Sequence, residues 1–193
     1  MLSAGVAHAA TELVSNGGFE TSSFNGNFTS SGTGSGLSGW TVNSGSVDLI
    51  NSYWAPAAGH YSLDLNGGSA GTISEALTTV VGQSYTVSFS LAGNPDAHGI
   101  KNVEVGVAGV NHAFAFNSAG KRRNAMGWET EKFNFVANSS SSVLSFAGNS
   151  ANTAYGAALD NISVAAAVPE PETYGLLLAG LGLMGFMARS KKM

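Results

Sequence analysis

From Glu12 to Val164 the apolar residues return at every second position in short bursts, each closed by Gly, Asn or Ser. Tyr85, Val87, Phe89 and Leu91 alternate with Ser and Thr, and Val103, Val105 and Val107 with polar residues or Gly. Tyr61, Leu63 and Leu65 follow the same rule, as do Phe133 with Phe135 and Leu144 with Phe146. A period of two sends neighbouring side chains to opposite faces, so each burst predicts a strand with one face on a core. Adding weaker runs around Val14, Trp40, Val47 and Ile73 gives about ten strands, and no amphipathic helix is evident among them. Many short strands at near-regular spacing predict an all-β fold, a two-sheet antiparallel sandwich of the jelly-roll kind. Trp40 and Trp128 fall within strand patterns and are expected in the core. The segment Ser22 to Ser38, almost all Gly, Ser, Thr and Asn apart from Phe24 and Phe28, is expected to be a long mobile loop.

The pattern changes at Val168. Pro169, Glu170, Pro171 and Glu172 form a stiff extended hinge, because proline fixes φ and lacks an N–H. An uncharged apolar run then extends from Tyr174 to Ala188, followed by Arg189, Lys191 and Lys192. As a helix this run would reach roughly 22 Å, short of the roughly 30 Å hydrocarbon core. It is expected to enter the membrane as a marginal span, with the basic end held on the cytoplasmic side and everything upstream outside. A buried helix of a soluble domain is the alternative, but such a helix keeps a polar face and this run has none.

This tail resembles the PEP-CTERM sorting signal of Gram-negative bacteria that make exopolysaccharide. The Pro169-Glu170-Pro171 triplet, the short Gly- and Leu-rich segment and the basic end occur in the expected order. Ser190 interrupts what is usually an Arg run. The resemblance implies that an exosortase recognises the tail and cuts near the triplet, so the protein would be a sorted substrate delivered to the envelope, outer surface or extracellular matrix. The tail is taken as residues 167–193, the β-sandwich domain as 11–166.

Composition narrows the reading further. There are no cysteines, so an exported domain must be held by packing, by a bound ion, or both. Charged residues make up only 10%, and no Lys or Arg precedes Lys101, which leaves no electrostatic footprint for nucleic acid. Residues 1–10, MLSAGVAHAA, end in a small-x-small pattern at Ala7-His8-Ala9 and read as the remnant of a signal peptide.

A second resemblance covers about Leu13 to Val164. The run Asn16-Gly17-Gly18-Phe19-Glu20, the Gly39-Trp40 pair, the strand Ser62-Leu63-Asp64-Leu65 and the stretch Tyr155-Gly156-Ala157-Ala158-Leu159-Asp160-Asn161-Ile162 are similar to choice-of-anchor C type extracellular domains. Those domains are similar in turn to galactose-binding-like jelly rolls and carbohydrate-binding modules, which implies a polysaccharide such as exopolysaccharide as the ligand; the lack of clustered acids or histidines speaks against catalysis. Small jelly-roll hydrolases or lyases, and purely structural envelope proteins, remain the alternatives, since fold does not fix function.

Candidate chemistry is sparse. Asp160 shares the parity of Ile162 and Val164, which predicts a carboxylate pointing inward, and a buried carboxylate needs donors, a base or a metal. Glu20, at the other terminus, is the expected partner. Two carboxylates with the carbonyls of Asn16 or Gly18 would suit a structural calcium ion, which similar jelly rolls often carry; the alternative is that Asp160 caps a turn through backbone N–H groups. Asp48 and Asp64, of opposite parity to their apolar neighbours, are expected in solvent. Tyr53 and Trp54, in the loop-like segment Asn51 to Gly59, offer flat faces for a sugar, with at least one expected instead to plug the sandwich. Asp96 and His98 fit a turn device, and Lys121, Arg122 and Arg123 form a basic loop that is solvated or touches an anionic polysaccharide. The separated histidines argue against zinc.

Overall fold

The computed structural model describes residues 11–150 and 153–167. The hydrophobic C-terminal helix, the sorting triplet, the basic end and the signal-peptide remnant lie outside the described residues. Among those described there are twelve strands and no helix: β1 (Phe28–Gly32), β2 (Gly36–Leu37), β3 (Trp40–Ser44), β4 (Ser46–Ile50), β5 (Ser62–Asp64), β6 (Thr72–Thr78), β7 (Ser84–Gly93), β8 (Ile100–Val107), β9 (Val110–Asn117), β10 (Glu129–Val136), β11 (Ser141–Gly148) and β12 (Ala157–Ala166). They form two six-stranded antiparallel sheets, ordered β1-β4-β5-β12-β7-β10 and β2-β3-β6-β11-β8-β9.

The expected alternation builds the interior. Val87, Phe89 and Leu91 of β7 face Val103 and Val105 of β8 and Leu144 and Phe146 of β11 across the sandwich, all buried. Phe89 stands edge-on to both Phe146 and Phe114, with ring centroids 5.2 and 5.1 Å apart. Trp40 is buried against Phe19 and Phe146, as its strand pattern required. Trp128 is half-buried at the margin of the core and donates its indole N–H to the Ala55 carbonyl at 3.0 Å, so it also braces a loop.

The segment Ser22 to Ser38 is not one loop: it contributes β1, paired with β4 over five residues, and β2. Its strands are held by ladder hydrogen bonds rather than by burial, because nearly every residue of β1 is exposed. Asp160 is fully buried, but not by the expected parity. The pairing of β12 with β7 shifts by one residue between Asp160 and Ser163, at a bulge where Asn161 takes φ 49°. Leu159 and Val164 therefore both face the core, opposite Leu91 and Val87, while Asp160 sits opposite Ser90 on the outer face of the sheet.

Candidate functional site

One row of cross-strand neighbours in the first sheet, Leu49, Leu63, Leu159 and Leu91, faces the core. The next row, Asp48, Asp64, Ala158 and Ala92, must face the other way. Asp48 and Asp64 thus lie side by side on the outer face, as their parity predicts. They are nevertheless buried, because residues 51–61, the turn after Gly93 and the segment before Ala157 fold over that face.

Asp64 is 1% exposed, and both of its carboxylate oxygens accept hydrogen bonds from within. Its Oδ1 accepts the N–H groups of Asn66 (2.9 Å) and Gly156 (3.0 Å), and its Oδ2 accepts the Asn94 side-chain amide (2.8 Å). Burial outweighs these donors and the Asp48 charge adds to it, so the Asp64 pKa is pushed up to about 7. Lys101 reaches the same place from β8 and donates to the Tyr155 carbonyl at 2.8 Å. Burial lowers its pKa, partly offset by Asp64. Gly93 makes room for it, since a Cβ there would lie 2.6 Å from Lys101 Cγ.

Asp48, 8% exposed, lies nearer the surface than Asp64. Its Oδ1 accepts the Ser30 hydroxyl at 2.5 Å, while its Oδ2 has no hydrogen-bond donor among the described residues. Desolvation raises its pKa, with Ser30 opposing. It lines a cavity of about 220 Å³ together with Phe28, Tyr53, Asn94 and Tyr155. Phe28 and Tyr155 are 46% and 40% exposed, large apolar surfaces at the mouth of a polar pocket.

Of the two aromatic residues expected to meet a sugar, the structure separates the roles. Trp54 is the plug: it is 3% exposed and donates its indole N–H to Ser62 Oγ at 2.9 Å. Tyr53 is half-buried and forms the wall between the first cavity and a more open one of about 460 Å³ lined by Asn51, His60, Arg123 and Asn124. The Arg123 guanidinium lies 3.8 Å from the Tyr53 ring centre, and its Nη2 also donates to the Tyr53 hydroxyl. Asp96 accepts from Arg123 Nε at 2.9 Å and from the Tyr53 hydroxyl at 2.6 Å. Its pKa is lowered chiefly by the Arg123 hydrogen bond, with burial opposing. Asp96 therefore pairs with Arg123 and not with His98, whose ring meets the Ser118 carbonyl.

Glu20 and Asp160 come together as expected, both beside Gly18. Asp160 Oδ2 accepts the N–H groups of Ala57 (2.8 Å) and Ala58 (3.1 Å), and Oδ1 that of Asn161 (2.7 Å). Glu20 Oε1 accepts from His60 (2.8 Å) and Tyr61 (2.9 Å). The pair clasps the segment that carries Tyr53 and Trp54. Burial, with the Glu20 charge adding, pushes Asp160 up to about 6.

Residues 12–165 match the family described as "Protein of unknown function (DUF642)". The chain belongs to the DUF642 family. Residues 167–192 match the PEP-CTERM protein-sorting motif. The DUF642 chain is 31% identical over 161 residues to halomucin of Haloquadratum walsbyi, a match covering 79% of this chain and 2% of halomucin. It is similar in fold to part of an arabinose-bound α-L-arabinofuranosidase (TM-score 0.51, 16% identity, 80% of this chain and 26% of that one). It is also similar to a family 35 carbohydrate binding module from Clostridium thermocellum (TM-score 0.48, 17% identity, 61% and 86% covered). A further likeness is to a carbohydrate-binding module in complex with beta-1,4-galactotriose (TM-score 0.49, 14% identity, 80% and 98% covered).

Proposed function

We propose that this DUF642 chain is an exported, non-catalytic polysaccharide-binding protein of a Gram-negative cell surface, delivered through an exosortase by its tail, which enters the membrane before cleavage. The observation that carries the binding reading is the pocket on the first sheet: exposed faces of Phe28 and Tyr155 beside one carboxylate oxygen, Asp48 Oδ2, with no donor of its own. A sugar presents a C–H face and hydroxyl donors, and the pocket presents their complements. Binding is favoured over hydrolysis because Asp64, the second acid of the pair, is 1% exposed and each of its oxygens already accepts a protein N–H. Titration of the chain against extracted exopolysaccharide and a panel of neutral and acidic glycans should give saturable binding. Loss of the acceptor in Asp48→Ala, or of the aromatic face in Tyr155→Ala, should each weaken it about tenfold, as expected for about 1.4 kcal/mol. Unchanged affinity in both variants would move the ligand elsewhere, and sugar release from the panel would restore the enzyme reading.

We propose further that a structural calcium ion binds at Glu20 and Asp160. Glu20 Oε2 accepts no hydrogen bond among the described residues, and Asp160 Oδ1 accepts one. Among the described residues no three His, Cys, Asp or Glu side chains gather to hold a metal, so carbonyls such as those of Asn16 or Gly18 would complete an oxygen set. Two like charges in one place are what a cation would relieve. Chelator should then lower the melting temperature by about 5 °C, and Asp160→Asn should abolish that difference. Identical melting with and without chelator would leave the amide N–H groups as the only partners of the pair.

A further inference from the structure

The exposed large apolar residues divide between the two ends of the sandwich. Phe28, Ile100 and Tyr155 lie toward the pocket end, whereas Val80, Val81, Val110, Val136 and Val143 gather at or near the other end, with 43% to 66% of each exposed. That second end is built from three turns tied to one another. Gly82 N–H donates to Ala137 O (2.8 Å), Ala137 N–H to Gln83 O (3.0 Å), Thr79 N–H to Ser140 O (3.0 Å), and the Asn138 side-chain amide to Ala108 O (3.1 Å). Residues 79–83, 107–111 and 136–143 contain no Asp, Glu, Lys or Arg, although the rest of the surface carries both signs. An uncharged end studded with valine is not what an isolated soluble domain presents to water.

The chain itself leaves the sandwich at this end. Ala167, the last residue described, donates its N–H to Ser84 O at 2.9 Å, beside the turn that bears Val80 and Val81. Only residues 168–173 separate it from the apolar run that starts at Tyr174. Six residues span at most about 20 Å fully extended, less than the length of the domain's longest strands, about 33 Å for ten residues. Once the tail is in a bilayer, the end of the domain nearest the lipid must be the valine end.

We infer that Val80, Val81, Val110, Val136 and Val143 form a membrane-docking surface that rests on the outer leaflet beside the inserted tail and points the Asp48 pocket away from the lipid. The inference rests on the reading of the tail as a membrane-inserting segment. A lipid surface fits better than a protein groove because the valines sit on separate turns around one blunt end, and those turns carry no Asp, Glu, Lys or Arg to set a register. Contact at headgroup depth buries apolar side chains, and the three turns supply them without an Asp, Glu, Lys or Arg of their own.

The chain has no cysteine, so a single introduced one can be labelled specifically. Full-length protein with an environment-sensitive fluorophore on Val81→Cys, or on Ile100→Cys at the pocket end, would be reconstituted into phosphatidylcholine vesicles with nitroxide on the headgroups. Flotation with the vesicles reports tail insertion; quenching reports docking. The expected result is co-flotation of both proteins, with at least about threefold more quenching at position 81 than at 100, reduced to parity by Val80→Asp with Val136→Asp. Flotation with equal quenching at both positions would overturn the docking surface while leaving the tail reading intact. Failure to float would overturn the tail reading and the docking surface with it. Shielding of position 81 from a water-soluble quencher without nitroxide quenching would identify a protein contact in place of lipid and overturn the inference as well.

Discussion

In chelator-containing buffer the domain should become less stable as pH rises from about 4 to about 7, by roughly 4 kcal/mol from Asp64 alone. The folded chain holds a proton on Asp64 up to about pH 7, while the unfolded chain releases it near the ordinary aspartate value of 3.8. Between those values the native state binds more protons than the unfolded state, so each rise in pH favours unfolding, and above about pH 7 both states are ionised and the slope vanishes. Asp160, raised to about 6, acts in the same direction, as do Asp48 and Glu75 with their upward shifts. Asp96 opposes them: lowered by Arg123, its contribution is present above its unfolded value and lost as pH falls through the folded one. That surface pair is half-exposed on the Arg side and worth little beside a fully buried acid. Urea midpoints at pH 5 and pH 8 would show the trend, and Asp64→Asn should flatten most of it. A wild-type domain more stable at pH 8 than at pH 5 would mean that Asp64 is ionised in the native state and that the cavity is wetter than its donors imply.

How much of this was written in the alternation follows from where each residue sits. The strands carrying Val87, Phe89, Leu91, Val103, Val105, Leu144 and Phe146 were legible because one face of each meets the opposite sheet and the other carries Ser, Thr, Asn or Gly. Phe28–Gly32 was not, because a strand held by its ladder alone leaves no burial period to read. Asp160 shows a deeper limit. Its meeting with Glu20 was anticipated, yet the bulge at Asn161 inverts the parity on which its direction was argued, and a single residue with positive φ has no periodic signature. Asp48 and Asp64 were placed on the correct face and in the wrong medium. Alternation reports which side of a sheet a residue takes, but not that residues 51–61 and 153–156 will fold back over that side. The aromatic wall of Phe28 and Tyr155 and the reach of Lys101 into the same place depend on those loops, so the pocket became visible only with the fold.

Replacing Phe89 with Ala should lower stability by about 3 to 5 kcal/mol, the usual range for emptying an aromatic site in a core. The expected value is toward the upper end for a geometric reason. Phe89 is 1% exposed and lies where both sheets contribute: its ring stands edge-on to Phe146 of β11 at 5.2 Å and to Phe114 of β9 at 5.1 Å. Phe146 cannot move in to fill the void, since it is also held against Trp40, and the backbone of β7 is paired on both edges, to β10 and β12. Two edge-to-face contacts would be lost in addition to the buried area, at about 0.5 to 1.5 kcal/mol each. Urea unfolding of Phe89→Ala should therefore show a lower midpoint with an unchanged slope, whereas Phe133→Ala, at the half-buried margin of the sandwich, should lose clearly less. With a DUF642 domain free of disulfides, a loss of that size takes up a large part of the 5 to 15 kcal/mol typical of folded domains. Equal losses at the two positions would show that the core is not centred on the ring cluster of Phe89, Phe114 and Phe146.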